Sequence, residues 1–175
     1  MVGEADEDDC HPYEVWGLSA AQFIYRYDYC SSQWIPIPGA LTHIAVGGGA
    51  IWGLNAAAQI FYYSFTEGFQ QISGSLQQLT VGVDEVWGID GLNQLWHYSP
   101  HTGNFESLGG ISSDQIVAGG NEFWIALRNG AAVLYEPTAG FRFTVPTPIT
   151  QLAVGYGVRV WAVDSSHHVY SFVRP

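Results

Sequence analysis

Trp34, Asn55, Tyr63, Asp90, Asn93, Trp96, Asn129 and Asp164 are the residues of this chain whose types and spacing could do chemistry with a ligand. Their aromatic faces can pack against C–H bonds, and their short amides and carboxylates can pair with hydroxyls. Both are needed to hold a ring that carries hydroxyls on a hydrocarbon frame, as a sugar does. Ser19, Gln59, Gln94, His167 and His168 stand close to them in sequence. The bland alternatives stay open: Asn, Asp and Ser are ordinary turn formers, and Trp34, Tyr63 and Trp96 could serve packing. Covalent chemistry has little to work with. The sequence contains no nucleophile elbow, phosphate-cradling glycine loop or Cys-x-x-Cys pair, and Gly47-Gly48-Gly49 falls between two strands rather than before a helix. His167 and His168 are adjacent, so on a strand they would point to opposite faces and share no metal. Asp6, Glu7, Asp8 and Asp9 lack the spacing of a calcium loop. Carboxylates elsewhere are too few to suggest the facing pair of a glycosidase. The expectation is a binding protein without catalysis, metal or cofactor.

Composition narrows the partner. The 175 residues include five Arg, no Lys and sixteen acidic residues, for a net charge of −11. Such a chain repels duplex nucleic acid and anionic membranes, since binding phosphates requires cations. No segment reaches the roughly 20 apolar residues of a membrane span. The first residues, "MVGEADEDDC", are acidic where a secretory signal is basic and then apolar. The expected location is extracellular, reached without a visible signal peptide, with the cytoplasm as the alternative.

The candidate residues must be positioned by a repeat. "VWGLSAAQFIYRY", "IWGLNAAAQIFYY" and "VWGIDGLNQLWHY" are near-copies, followed by the weaker "FWIALRNGAAVLY" and "VWAVDSSHHVYSF". They place Trp16, Trp52, Trp87, Trp124 and Trp161 at intervals of 36, 35, 37 and 37. Between them runs a second pattern: "WIPIPGALTHIAVG", "FQQISGSLQQLTVG", "FESLGGISSDQIVAG" and "FRFTVPTPITQLAVG". Each unit divides into four short apolar runs separated by turn residues, which read as an antiparallel meander. Such units repeated about an axis make a β-propeller. The predicted fold is all-β, with residues 1–175 forming a single propeller of four-stranded blades, five in number. The alternatives are part of a six-bladed or larger propeller, or a ring completed by a second chain. A blade packs on neighbours through both faces, which explains inner strands without in–out alternation. The repeated Trp is read as structural, its indole resting where the adjacent blade offers bare backbone at Gly53 or its equivalent. Residues 4–12 are acidic and poorly strand-like where the first unit needs an inner strand. Met1-Val2-Gly3 match the tail of an outer strand and could lie against the last unit to latch the ring.

The units "WxxIPGxLxxIAVG" and "VWGLN…IYRY" resemble the tectonin repeat, over residues 15–173, most closely in the first three units. That resemblance implies a propeller lectin with sites at or between blades, one per repeat, recognising glycans on microbial or cell surfaces. The chain departs from the pattern in blade number, in Trp124-Ile125 and Trp161-Ala162 replacing Trp-Gly, and in Phe69, Phe105 and Phe141 replacing Trp34. The expected function is multivalent carbohydrate binding, by a monomer or small homo-oligomer, because several weak sites facing one way engage a glycan-coated surface together. A non-catalytic protein–protein interaction scaffold is the alternative, since propellers host both.

Cys10 and Cys30 are the only cysteines. If the first hairpin turns at Ser19–Gln22 so that Trp16 faces Tyr25 and Glu14 faces Tyr27, the two cysteines fall nearly opposite each other. A disulfide is expected, and with it an oxidising destination. Titration under denaturing, non-reducing conditions should find no free thiol; two would refute the bond.

Overall fold

The computed structural model describes residues 14–119, 122–127, 131–136, 140–145, 148–154 and 159–173. All regular structure among them is β-strand, and every pairing is antiparallel. The first sheet is β1 (Trp16–Leu18), β2 (Phe23–Asp28) and β3 (Gln33–Ala40). The second is β4 (His43–Gly47), β5 (Ala50–Leu54), β6 (Gln59–Ser64) and β7 (Gly68–Ser75). A seven-stranded sheet follows in chain order: β8 (Gln78–Val81), β9 (Val86–Ile89), β10 (Gln94–Ser99), β11 (Asn104–Gly119), β12 (Glu122–Leu127), β13 (Ala132–Glu136) and β14 (Gly140–Val145). The last is β15 (Ile149–Val154), β16 (Arg159–Asp164) and β17 (Val169–Val173).

The five sequence units are all visible in this order, but four separate strands are seen only in the second. The third and fourth share one sheet because β11 is continuous. Its first part pairs with β10 and its second with β12, with register shifts along the way. In the first and second units the corresponding outer strands carry a bulge at Gly39 (φ 123°) and Gly74 (φ 117°). There the absent side chain leaves room for Ile24 and Ile60 beneath. Met1-Val2-Gly3 and residues 4–12, expected to latch the ring, lie outside the described residues. Among the described residues, sheet-to-sheet packing runs from each unit to the next, and none of comparable extent joins the fifth to the first.

Burial follows from this stacking. Ile51–Leu54 of β5 and Val86–Ile89 of β9 are buried at every position, because a sheet covers each face. Three apolar clusters lie between successive units: one around Trp52 and Leu79, one around Trp87 and Ile116, and one around Leu134 and Leu152. Trp52 and Trp87 are 3% and 1% exposed, as a structural role requires. Side chains of the inner strands also reach across. His43 Nε2 donates to Leu79 O at 2.8 Å and Gln78 Nε2 to Asp114 O at 2.8 Å. Gln115 bonds both backbone groups of Leu152, accepting at 2.7 Å and donating at 3.3 Å.

Two expectations are corrected. Trp16 pairs with Arg26, and Tyr25 with Gly17, one residue out of the expected register. The loop between Ser19 and Phe23 contains an extra left-handed residue, Gln22 (φ 67°), which a two-residue turn would lack. Gly53 and Gly88 do not receive an indole from a neighbouring unit, and Gly17 lies against the Trp34 indole of its own sheet, 3.3 Å from a Cβ placed there. A Cβ on Gly53 would lie 2.4 Å from Leu41 Cδ1, and one on Gly88 2.3 Å from Leu76 Cδ1. These glycines make room for a leucine at the entry to their own sheet.

Gly48 and Gly49 both have left-handed φ, 55° and 76°. A Cβ on Gly48 would lie 1.7 Å from Val83 O, whereas one on Gly49 meets nothing within 4 Å. Gly49→Ala should therefore cost only its backbone strain, about 1–2 kcal/mol. Gly48→Ala should cost about 1–3 kcal/mol more, because it drives the second and third units apart. Urea unfolding midpoints of the two variants test the difference.

Candidate functional site

Among the described residues four hairpins connect the Trp strand to the strand after it, and all four have one geometry. The N–H groups of Ser19, Asn55, Asp90 and Asp164 donate to the carbonyls of Phe23, Gln59, Gln94 and His168, at 2.9–3.2 Å. The residue before each of those partners is left-handed: Gln22 (67°), Ala58 (59°), Asn93 (63°) and His167 (66°). This is a turn closed by a left-handed residue, and none of the four positions is glycine. The side chain that opens the turn offsets the strain. Asn55 Oδ1 accepts from the N–H groups of Ala57 and Gln59, both at 3.0 Å. Asp90 Oδ1 accepts from Leu92 and Gln94 at 2.8 and 2.9 Å, and Asp164 Oδ1 from Ser166 and His168 at 2.8 and 2.9 Å. Ser19 Oγ accepts from Phe23 N–H at 3.1 Å.

The second oxygen of each acid is also used. Trp96 Nε1 donates to Asp90 Oδ2 at 2.9 Å, and Tyr170 OH to Asp164 Oδ2 at 2.8 Å. In the second unit the residue in that place is Phe61, which has no donor. The turn residue there is an amide, and Asn55 Nδ2 donates to Gln59 Oε1 at 2.7 Å. Burial raises the Asp164 carboxyl, but hydrogen bonds from His168 N–H, Tyr170, the His168 ring and Ser166 N–H outweigh it, giving a pKa of about 2. Burial likewise raises Asp90, and the hydrogen bonds from Gln94, Trp96 and Leu92 hold it below its ordinary value.

A cavity of about 650 Å³ opens between the first and second units. Its floor on the second unit is Phe61, Tyr63 and Phe69, with Asn55 and Glu67 also lining it; the opposite wall is Ile24, Ile37 and the chain from Pro38 to Leu41. The rings are fixed by packing. Tyr63 meets Trp16 at 4.8 Å and Phe69 at 5.0 Å between centroids. Asn55 and Tyr63 are thus brought together as a candidate site. Glu67, Phe61 and Phe69 were not singled out from the sequence, although Phe69 stands at the repeat position of Trp34. A smaller groove of about 300 Å³ lies beside Trp34, with Ser19, Tyr25 and Gly17. It has the same parts as the cavity floor, since Ser19, Tyr25 and Trp34 are the repeat equivalents of Asn55, Phe61 and Phe69.

The remaining expected residues are placed as follows. Asp90, Asn93 and Trp96 gather in one hairpin, tied to each other and, through Asn93 Nδ2 to Asp114 Oδ1 at 2.9 Å, to β11. Asp164 stands in the last unit with its oxygens occupied. Asn129 and Cys10 lie outside the described residues; Cys30 N–H donates to Asp28 Oδ1 at 3.2 Å in the turn after β2. A further polar cluster was not foreseen: the His97 ring packs tilted against Trp87, with centroids 4.4 Å apart, and pairs with Glu85 through Nε2. Beside it, burial and the Glu85 charge raise the Tyr135 hydroxyl.

The sequence model of the Tectonin domain matches residues 8–107, more than half of the chain. No curated protein matches in sequence. Solved structures with the same fold are β-propeller-like proteins at low identity. Human WBSCR16 superposes with a TM-score of 0.67 at 12% identity, over 82% of this chain and 54% of that one. U3-55K gives 0.69 at 10%, over 91% and 57%. BamB from Moraxella catarrhalis gives 0.63 at 16%, over 92% and 54%. The chain spans little more than half the length of these structures, and the likeness shows the fold alone.

The turn chemistry makes acid sensitivity testable. A carboxyl held low in the folded state stabilises fully above its unfolded value of about 4 and loses that contribution as pH falls toward the folded value. For Asp164 the loss runs from about pH 4 to about pH 2. Asn55 closes the same turn without a charge, so Asp164→Asn should fold at pH 7 and lose less stability than the wild type between pH 4 and 2. Urea unfolding at three pH values within and above that window checks it; an unchanged acid dependence would assign the effect to other carboxylates.

Proposed function

The chain belongs to the tectonin family, and from that premise we propose that it is a non-catalytic, carbohydrate-binding propeller. Its repeat units present sites at the junctions between blades, and its ligands are glycans of microbial or cell surfaces met outside the cell. The observation that carries the reading is the cavity between the first and second units. Its aromatic floor offers a ring face held rigid by Trp16 and Phe69, and Asn55, Glu67 and the Tyr63 hydroxyl supply polar groups. Apolar walls with a few convergent polar groups are what a neutral polyhydroxylated ring requires. The reading favours Tyr63 and Asn55 as binding residues over Asp90, Trp96 and Asp164 because both line this cavity, although Asn55 also closes its own turn.

The third unit shows how such a site can be filled. Where Phe61 lines the cavity, the repeat equivalent is Trp96, whose larger ring reaches back to its own turn residue. Phe61→Trp should therefore keep the fold and occupy the cavity. On a glycan array the wild type should bind at least one glycan class, competed by free sugar. Phe61→Trp should weaken that binding at least tenfold by titration calorimetry, and Glu67→Gln should weaken it less. Absence of glycan binding, together with capture of a specific protein, would favour a scaffold instead.

A further inference from the structure

The contact that joins one unit to the next has a donor side and a receiving side. The donor is the repeated indole. The receiver is a Tyr, paired in two of the three junctions with a Phe, on the following unit. Trp16 sits on Tyr63 and Phe69 at 4.8 and 6.2 Å. Trp52 sits on Tyr98 and Phe105 at 4.7 and 5.8 Å. Trp87 sits on Tyr135 at 4.9 Å. The two-ring receivers share a shape, with centroids 5.0 Å apart at 59° for Tyr63–Phe69 and 5.4 Å at 57° for Tyr98–Phe105.

The first unit carries the same receiver: Tyr27 and Trp34 stand 5.3 Å apart at 66°. Trp34 is 49% exposed, and the groove beside it is the repeat equivalent of the second unit's side of the cavity, without an opposite wall like the one the first unit supplies there. At the other end Trp161 is 46% exposed, although its counterparts Trp52 and Trp87 are buried. Around it Val160, Ala162 and Asp164 are buried, so β16 is covered on one face only. Val169, which stands where Ile24 and Ile60 are buried, is 65% exposed, and Gln151, equivalent to the bridging Gln78 and Gln115, is exposed as well.

We propose that the Trp161 face of one chain docks on the Tyr27–Trp34 face of a second copy, extending the unit-to-unit packing across molecules. Continuity with the existing junctions chooses this occupant: the two faces are the unmatched donor and the unmatched receiver of one contact that the chain already makes between its own units. Both faces are open at once among the described residues, and the chain superposes on little more than half of longer β-propeller-like structures. The contact joins different surfaces of the two copies, so it propagates head to tail and each chain can both give and receive. Docking would also wall the Trp34 groove into a second cavity like the one between the first two units.

Light scattering and sedimentation of the 175-residue chain over a range of concentrations test this. The wild-type mass should exceed that of one chain and rise with concentration. Trp161→Ala and Trp34→Ala should each weaken association at least tenfold, as loss of a central tryptophan does at interfaces. An equimolar mixture of the two variants should recover two-chain particles and no larger ones, because one variant keeps the donor and the other the receiver. Trp161→Phe and Trp34→Phe, with an unchanged circular dichroism spectrum, should retain association and so separate contact from folding. A wild type of one-chain mass at every concentration would overturn the proposal. So would variants that fail to recombine, or a single chain in which both indoles are shielded from acrylamide, since its own ends would then meet.

Discussion

Each unit of this protein is a sheet too small to bury its own apolar side chains, and an indole lodged against the next sheet is what solves the problem. Trp52 contacts Tyr62 in its own sheet and Tyr98 and Phe105 in the next. Its full burial therefore depends on the neighbour. Edge-on aromatic contacts of this kind add to the area they bury, and the polar bridges from His43, Gln78 and Gln115 fix how far one inner strand sits from the next. Stability in such an array is a sum of unit and junction terms. An unmatched face at either end is then the place where the array is incomplete.

The turns show how a repeat records its own physical requirements. A carboxylate stands at the head of the turn where the sixth residue on is Trp96 or Tyr170 and can donate to its second oxygen. An amide stands there when that residue is Phe61, and the amide donates instead. Ser19, with a single oxygen, satisfies one N–H. Comparison among units within one chain thus shows that Asn55, Asp90 and Asp164 all hold their own turns, and that Asn55 alone of the three lines the cavity between the first and second units. It moves the weight of the carbohydrate reading from Asp90 and Asp164 to the cavity beside Asn55 and Tyr63. Phe61 lines that cavity, and the larger Trp96 stands in its place one unit on.

The period of the Trp residues, the division of the second unit into four strands and the buried character of β5 and β9 were legible in the sequence. All three follow from local patterning: apolar runs of strand length, turn residues between them, and no alternation where both faces are covered. The first hairpin was misread by one residue because Gln22 adopts a left-handed conformation that glycine would have announced and glutamine does not. The role of Gly53 and Gly88 was misread for a different reason. Room at a glycine can serve any neighbour, and which side chain enters it depends on the path of the chain into the sheet.

Residue types and their repetition alone determined that this chain forms β-meanders of one kind, that its tryptophans hold them, and that Asn, Asp and Ser are turn formers. Tertiary structure decided the rest. It showed which indole has a partner, that Asn55 and Tyr63 share a cavity while Trp96 and Tyr170 bond the second oxygens of Asp90 and Asp164, and that the third and fourth units run into one sheet through β11. The reason is that a repeated sequence writes the same contact into every unit, whereas a contact forms only where the next unit stands. Trp52 and Trp161 read alike along the chain, and only packing makes one of them core and the other surface.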